Sequence, residues 1–183
     1  MATRRGKKQS ANPAESGGVT PAPRPEADAP ADTDEAGAGA LTDFPVVAIG
    51  ASAGGIEALK RFFSAMPAQS GLGFVVIPHL DPTHVSHLPE LLGRHTPMQV
   101  AQAHDGAPVQ AEHVHIIPPN ALLTIKGGVL HLGAAVARPG IPRPIDGFLR
   151  SLAEYQQERA ICIIFSGTGS DGTLGLKAIK AEG

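Results

Sequence analysis

A serine lies in a glycine-rich corner of this 183-residue chain. Gly50, Ser52 and Gly54 fit the pattern G-x-S-x-G, which follows an apolar run and precedes a helical pattern. Glycines on both sides of a serine allow a sharp turn that projects the hydroxyl above a sheet. The helix that follows offers free N–H groups and the positive end of its dipole, which suit a developing oxyanion. The corner indicates a serine nucleophile, but the short motif alone fits equally well a serine that only caps the helix.

Two more polar residues follow apolar runs and could activate this serine. A serine hydroxyl is a poor nucleophile at neutral pH and needs a base within hydrogen-bond reach. His79 ends the next apolar run and could take the proton of Ser52 and later deliver it to the leaving group. Asp171, in the loop after a third apolar run, could fix the tautomer of the imidazole. The chain order Ser, His, Asp differs from that of α/β-hydrolases, but a triad is defined by geometry.

The same corner admits a second interpretation, in which it is the phosphate-binding loop of a nucleotide-binding α/β module. The residues from Gly50 to Gly55 are close to the G-x-G-x-x-G fingerprint, in which backbone approaches a pyrophosphate. Ser52 replaces the middle glycine, where that approach is closest. The second strand end offers His79 in place of the expected acidic residue. Both departures weaken the nucleotide interpretation.

Other carboxylates compete with Asp171 for the role of the acid, namely Asp81, Asp105 and Asp146. We expect Asp146 to support the start of its own helix instead. Asp105 is typical of a turn together with Gly106.

A metal site is a further alternative, because three histidines are close in sequence. His79, His84 and His87 could bind a metal with Asp81 as a fourth ligand, but a strand end and a short helix have no recognised ligand spacing. We expect His84 and His87 at the surface or at a helix cap. We expect His113, His115 and His131 at alternating exposed positions of a β-rich insert. We also expect His95 and His104 at the surface.

Hydrophobic patterns predict the elements that would position these residues. Apolar runs of strand length occur at FPVVAIG, LGFVVIPH and AICIIFS, and helical spacing occurs at GIEALKRFFSAM, SHLPELLGRH, IDGFLRSLAEYQQ and LGLKAIKAE. Shorter β candidates are MQVAQA, HVHIIPP, LLTIK and VLHL, of which the last two flank the hairpin signal Gly127-Gly128. The pattern predicts an α/β fold of three layers, α/β/α, with a mainly parallel Rossmann-like sheet covered on both faces and a short β-hairpin. Sites in such sheets form at the carboxyl ends of strands.

Composition separates residues 1–43 from the rest of the chain. This segment is rich in Ala, Pro, Gly and acidic residues, and it predicts a disordered tail or linker before a domain at 44–183. The formal net charge of -2 argues against a general nucleic-acid binder. One cysteine, Cys162, expected in a buried strand, leaves no disulfide framework and fits a reducing compartment. No apolar run approaches the roughly 20 residues of a membrane helix, so we expect a cytoplasmic protein without membrane insertion.

Several segments together resemble the catalytic domain of the bacterial chemotaxis protein-glutamate methylesterases, the CheB type. They are VAIGASAGGIEAL, VIPHLDP, DG at 105–106, IIPPN, RPIDGFLRSLA and FSGTGSDGTLGLKAI. Members of that family remove methyl esters from glutamate side chains of chemoreceptors, and many deamidate receptor glutamines. The resemblance runs from about residue 44 to the last residue. It implies Ser52 as nucleophile, His79 as base and Asp171 as orienting acid, without a metal or organic cofactor.

The resemblance also implies an oxyanion site built from backbone N–H groups, at Ala53, Gly54, Thr168 and Gly169. The family often has threonine where Ala53 stands and methionine where Thr168 stands. Backbone donors would make these side chains matter little. The segments PHLDPTH and SGTGSDGTLGLKAIKAEG are nearest to the branch fused to a receptor methyltransferase. The implied partners are methylated chemoreceptors and such a methyltransferase, fused or separate.

The two ends of the chain add expectations about the size of the domain. Residues 1–43 are too short and polar for a receiver domain, so we do not expect control by aspartyl phosphorylation in this chain. Gly183 is typical of a helix cap before a further strand. We therefore expect a truncated catalytic domain that exposes a sheet edge and apolar surface. A non-catalytic remnant that only binds receptors or a partner is the alternative to an enzyme.

Overall fold

The structure is a computed structural model, and it describes residues 42–79, 86–134, 143–165 and 170–183. The predicted tail at 1–43 lies outside the described residues except for its last two positions. Asp81, His84, Thr168 and Gly169 also lie outside them, and Ala53 is described by its backbone alone. Among the described residues, no helix is both long and apolar enough to cross a bilayer.

The described residues form strands and helices in the order that the hydrophobic pattern predicts, with a run of five strands between the second and third helices. In chain order the elements are β1 Val46–Ala51, α1 Ile56–Ala65, β2 Gly73–Pro78, α2 Leu88–Gly93, β3 Gln99–Gln102, β4 Ala107–Pro108, β5 His113–Ile116, β6 Ala121–Lys126, β7 Val129–Ala134, α3 Pro144–Gln156, β8 Ile161–Phe165 and α4 Thr173–Glu182.

Five strands form a parallel sheet in the order β3-β5-β2-β1-β8. Strand β1 pairs with β2 on one side and with β8 on the other, and Ala51 at its end is level with Pro78 and with Phe165. The fully apolar runs of β1 and β2 are buried along their whole length. The predicted parallel sheet is confirmed.

Alternate residues of the central strands serve two separate cores, one on each face of the sheet. Val46 and Ala48 of β1 pack with α3 and the β6–β7 hairpin, whereas Val47 and Ile49 pack with α1 and α2. Helix α4 lies against α3. Because successive side chains of a strand point to opposite faces, a strand that is covered on both faces must be apolar throughout. The three-layer prediction is confirmed.

The predicted hairpin at Gly127-Gly128 is present and belongs to a larger unit. Lys126 pairs with Val129 across the turn, and both glycines have positive φ, 57° and 78°, as a two-residue hairpin turn requires. Strand β4 adds to the hairpin, giving a three-stranded antiparallel sheet in the order β4-β7-β6. The other two short β candidates do not belong to an insert, since they are β3 and β5 of the parallel sheet.

His115 is buried, so the prediction of an exposed position is wrong. It is 8% exposed, and because its neighbours Val114 and Ile116 pack in the core with α1 and α2, His115 points to the other face of the sheet, which is therefore also covered at this residue. Among the described residues its Nε2 has no hydrogen-bond partner. Burial, with smaller effects from His113 and His104, lowers the pKa of His115 from 6.5 to about 4. His131 is exposed, as predicted.

Strand β8 is apolar but only partly covered. It pairs with β1 alone in the described part of the chain, so it forms an edge of the sheet. Ile161 and Ile164 are 39% and 41% exposed, and Leu174 of α4 is 40% exposed. The prediction of a strand buried on both faces is therefore wrong for β8.

Two helical glycines give a matched test of the packing between α3 and α4. A Cβ at Gly175 would lie 2.5 Å from Leu149 Cβ, whereas a Cβ at Gly147 would meet nothing within 4 Å. Gly175→Ala should lower the free energy of unfolding by about 1–3 kcal/mol through overpacking. Gly147→Ala should raise it by about 0.5–1 kcal/mol through helix propensity. Denaturant unfolding of both variants measures the two signs, and equal effects would contradict the close helix contact.

His115 should make folding sensitive to acid. Its pKa is lower in the folded chain than the unfolded value of 6.5, so the unfolded chain binds the extra proton and stability falls as pH drops from 6.5 towards 4. His115→Leu should flatten this part of the profile of unfolding free energy against pH. His87→Gln, at an exposed histidine, is the control and should leave the profile unchanged. An unchanged slope in the leucine variant would mean that His115 titrates normally when folded.

Candidate active site

The register of β1 and β2 determines where Ser52 and His79 leave the sheet. Ala51 and Pro78 are the last paired residues, and the N–H of His79 donates to the carbonyl of Ala51 at 2.7 Å. Ser52 and His79 therefore follow neighbouring strands at the same level, and adjacent strands are about 4.8 Å apart. The structure brings together the backbones of these two predicted residues. Ser52 is partly buried and His79 is exposed.

Ser52 has an extended backbone, with φ -81° and ψ 175°, and precedes a single 3-10 turn at Ala53–Gly55 that leads into α1. Its carbonyl accepts a hydrogen bond from the N–H of Gly55 at 2.8 Å. Its side chain makes no capping hydrogen bond to this helical start. The structure therefore gives no support to the alternative in which Ser52 is only a helix cap.

The glycines of the corner provide space rather than unusual backbone angles. A Cβ at Gly50 would lie 2.9 Å from both Ile145 Cγ2 and Ile164 Cδ1. A Cβ at Gly55 would lie 3.0 Å from that of Ala51, so this glycine lets α1 start against the end of β1. Neither glycine has positive φ. The sharp turn predicted around the serine is thus achieved with ordinary backbone angles and close packing.

Asp171 lies in the loop after β8 and binds the first turn of α3. Its carboxylate oxygens accept the N–H groups of Ile145 at 3.2 Å and Asp146 at 2.9 Å. The next residue, Gly172, has φ 96°, and a Cβ there would lie 3.1 Å from the same Ile145 and Ile164 atoms that crowd Gly50. The Asp171 loop is therefore separated from the end of β1 by one layer of side chains.

The carboxylate of Asp171 makes no hydrogen bond to the His79 ring within the described residues. Its two backbone bonds use only part of its capacity, because a carboxylate can accept about four hydrogen bonds. Donors at a helix N-terminus suit a negatively charged group. Of the predicted oxyanion positions, Ala53 and Gly54 lie in the 3-10 turn beside Ser52, while Thr168 and Gly169 lie outside the described residues.

Asp146 supports a different helix from the one predicted. Its Oδ1 accepts the N–H of Gly175, in the first turn of α4, at 2.8 Å, and the residue is 3% exposed. The sequence interpretation placed its role at the start of α3. An aspartate occurs just before or within the first turn of a helix in both RPIDG and GSDG. This pattern predicts helix capping, but it does not reveal which helix is capped.

Two further predictions concern the competing acid and metal ligands. Asp105 forms the predicted turn, since Gly106 has φ 76° and Asp105 Oδ1 accepts the N–H of Leu132 at 2.9 Å. Within the described ranges, no three His, Cys, Asp or Glu side chains are grouped as a metal site requires. His87 is exposed at the start of α2, and the other two proposed ligands beside His79 are outside those ranges.

Comparison with known proteins identifies the family. The family described as CheB methylesterase matches residues 47–183. The chain belongs to this family. The solved structure titled Thermotoga maritima CheB methylesterase catalytic domain is similar, with a TM-score of 0.67 and 27% sequence identity over 76% of each chain.

Curated relatives of the chain carry names that agree with this family. Protein-glutamate methylesterase/protein-glutamine glutaminase 1 of Burkholderia lata is 32% identical over 158 residues, which are 85% of this chain and 47% of that protein. Protein-glutamate methylesterase/protein-glutamine glutaminase 3 of Burkholderia orbicola is 35% identical over 139 residues, 75% of this chain and 41% of that protein. The chain spans about half the length of these curated relatives or less.

Cys162 should be an unreactive thiol. It packs against the core between the sheet and α3, and burial raises its pKa from 9.0 to about 11. The two-unit rise leaves roughly a hundredfold less thiolate at neutral pH, so iodoacetamide should label the folded protein at least that much more slowly than the unfolded protein. Mass spectrometry with time gives both rates, and equal rates would contradict the burial of this side chain.

Proposed function

We propose that this chain is a protein-glutamate methylesterase that hydrolyses glutamate methyl esters of chemoreceptors in bacterial chemotaxis signalling. The reaction consumes water and yields a glutamate side chain and methanol. The observation that carries the proposal is the pairing of β1 with β2, which sets Ser52 and His79 side by side at the strand ends in a member of the CheB methylesterase family. Residues 44–183 form the proposed catalytic domain.

The proposed mechanism uses Ser52, His79 and Asp171 as a proton relay. Ser52 Oγ attacks the ester carbonyl while His79 accepts its proton, and collapse of the tetrahedral intermediate expels methanol, which takes that proton. Water then attacks the acyl-serine with His79 again as base, and glutamate leaves as Ser52 is restored. Asp171 orients the imidazole and stabilises its charged form. The backbone N–H groups of Ala53, Gly54, Thr168 and Gly169 stabilise the oxyanion.

The same relay can deamidate glutamine. An amide leaves the tetrahedral intermediate as ammonia after His79 donates a proton to nitrogen, and the acyl-serine is then hydrolysed as before. The relatives from Burkholderia are named as glutaminases as well as methylesterases, which supports this second substrate. No metal or organic cofactor enters either reaction.

The exposure of the site supports a protein substrate. His79 is exposed and Ser52 only partly buried, so a side chain that projects from another protein could reach both. We propose methylated chemoreceptors as partners, together with a receptor methyltransferase, fused or separate, that supplies the ester. The single cysteine of the chain agrees with a cytoplasmic location.

Methanol release from a methylated chemoreceptor fragment tests the proposal. Ser52→Ala should lower the rate by about a thousandfold or more, because the covalent step is lost. Ser64→Ala is the matched control, since Ser64 lies on the exposed side of α1. Its hydroxyl oxygen is hydrogen-bonded to Nδ1 of His95 at 3.2 Å. It should keep the wild-type rate.

Three results would contradict the proposal. Equal methanol release by wild type and Ser52→Ala would remove Ser52 from the reaction. Receptor binding by the wild type without methanol release would indicate a non-catalytic binding module. Binding of a labelled nucleotide that survives Ser52→Ala, without esterase activity, would favour the phosphate-loop interpretation.

A further inference from the structure

The starts of α3 and α4 exchange hydrogen bonds through two aspartates. Asp171, just before α4, accepts two N–H groups from the first turn of α3. Asp146, in the first turn of α3, accepts the N–H of Gly175 in the first turn of α4. Each aspartate thus satisfies donors that the other helix leaves without an intrahelical partner. This reciprocal arrangement ties the loop at 170–172 to α3.

Asp146 contributes to this junction with two different groups. Its main-chain N–H donates to Asp171 Oδ1 at 2.9 Å, while its own Oδ1 accepts the N–H of Gly175 at 2.8 Å. The loop between these two bonds contains Asp171 itself. Loss of the Asp146 side chain would therefore remove the bond to Gly175 in α4. It would leave in place the main-chain N–H of Asp146 that donates to Asp171.

Arg143 links the remaining parts of the junction. Its Nη1 lies 3.4 Å from Asp146 Oδ2, and its Nη2 donates to Ser170 Oγ at 3.3 Å. A buried carboxylate needs partners that offset its loss of water, and Asp146 has both a backbone donor and this guanidinium. The guanidinium and the two helix N-termini also place positive charge beside the two carboxylates.

We propose that Asp146 is a positioning residue for the proposed relay. It fixes the loop at 170–172 against α3 and so holds the Asp171 carboxylate where it can orient His79. This inference rests on the proposed function. A displacement of about 1 Å in a catalytic group can cost about a hundredfold in rate, so the effect of Asp146 should be seen in kcat.

The experiment compares Asp146→Ala with Asp146→Asn in the full chain. The amide of asparagine keeps an oxygen that can accept the Gly175 N–H, so it is the conservative variant. For release of methanol from the methylated receptor fragment, Asp146→Ala should lower kcat by about tenfold to a hundredfold, with KM within about twofold. Asp146→Asn should recover most of this loss. In Asp146→Ala the main-chain amides at 145 and 146 should exchange hydrogen faster.

Glu112→Ala is the structural control. The Glu112 carboxylate accepts the N–H groups of Ser70 and Gly71, which precede β2. This contact lies at the amino ends of the parallel strands, whereas Ser52 lies at their carboxyl ends. This variant should lose stability and keep its kcat after correction for the folded fraction. If Asp146→Ala does not fold, Arg143→Gln carries the test, because the Arg143 side chain is 46% exposed and its loss removes the link to Ser170. Its kcat should fall several-fold.

The outcomes separate the two proposals. A wild-type kcat in Asp146→Ala, or in Arg143→Gln where that variant is needed, overturns the positioning role. Equal losses in the alanine and asparagine variants overturn the role assigned to the Gly175 bond. A wild type that releases no methanol overturns the proposed function. Amide exchange then decides whether Asp146 holds Asp171: faster exchange at 145 and 146 supports it, and unchanged exchange overturns it.

Discussion

The parallel pairing of β1 on both of its sides is the constraint on which the rest of the site depends. Ala51 is level with Pro78 of β2 and with Phe165 of β8. The three strands therefore end at the same level, and Ser52 and His79, which directly follow β1 and β2, begin as neighbours. A shift of one residue in either pairing would turn each side chain of the shifted strand to the other face and mix the two cores.

Close packing around Ile145 and Ile164 connects this edge with α3. Atoms of both isoleucines lie close to Gly50 on one side and to Gly172 on the other. A side chain at either glycine would push the two isoleucines away from that backbone. The glycines of the serine corner and of the last loop therefore act in the same contact, although 122 positions separate them in sequence. Small residues here let a helix approach strand ends closely, so that the N-terminus of α3 reaches the loop that carries Asp171.

The sequence predicted those features whose signals are local. Fully apolar runs identified β1 and β2, Gly127-Gly128 identified the hairpin, and the strand ends then implied that Ser52 and His79 would meet. The burial of His115 was missed because the alternating pattern of HVHI predicts one solvent-facing side and does not reveal that packing covers the second face as well. The partner of Asp146 was missed because it depends on how α4 packs against α3. The exposure of β8 was also misjudged, because an apolar run does not reveal whether a strand has one neighbour or two.

The edge position of β8 explains why helix capping matters so much at this site. Ser52 and His79 follow strands that the sheet supports on both sides, and the hydrogen bond between the His79 N–H and Ala51 continues the ladder past β2. Asp171 follows a strand that is paired on one side in the described part of the chain and whose apolar side chains are partly exposed. The sheet alone therefore holds the third member of the proposed relay less firmly than the other two. The bonds that hold it in place come from the starts of α3 and α4, through backbone donors, a buried aspartate and one arginine. Since such bonds are directional and short, they can define the position of a carboxylate that an edge strand leaves loose.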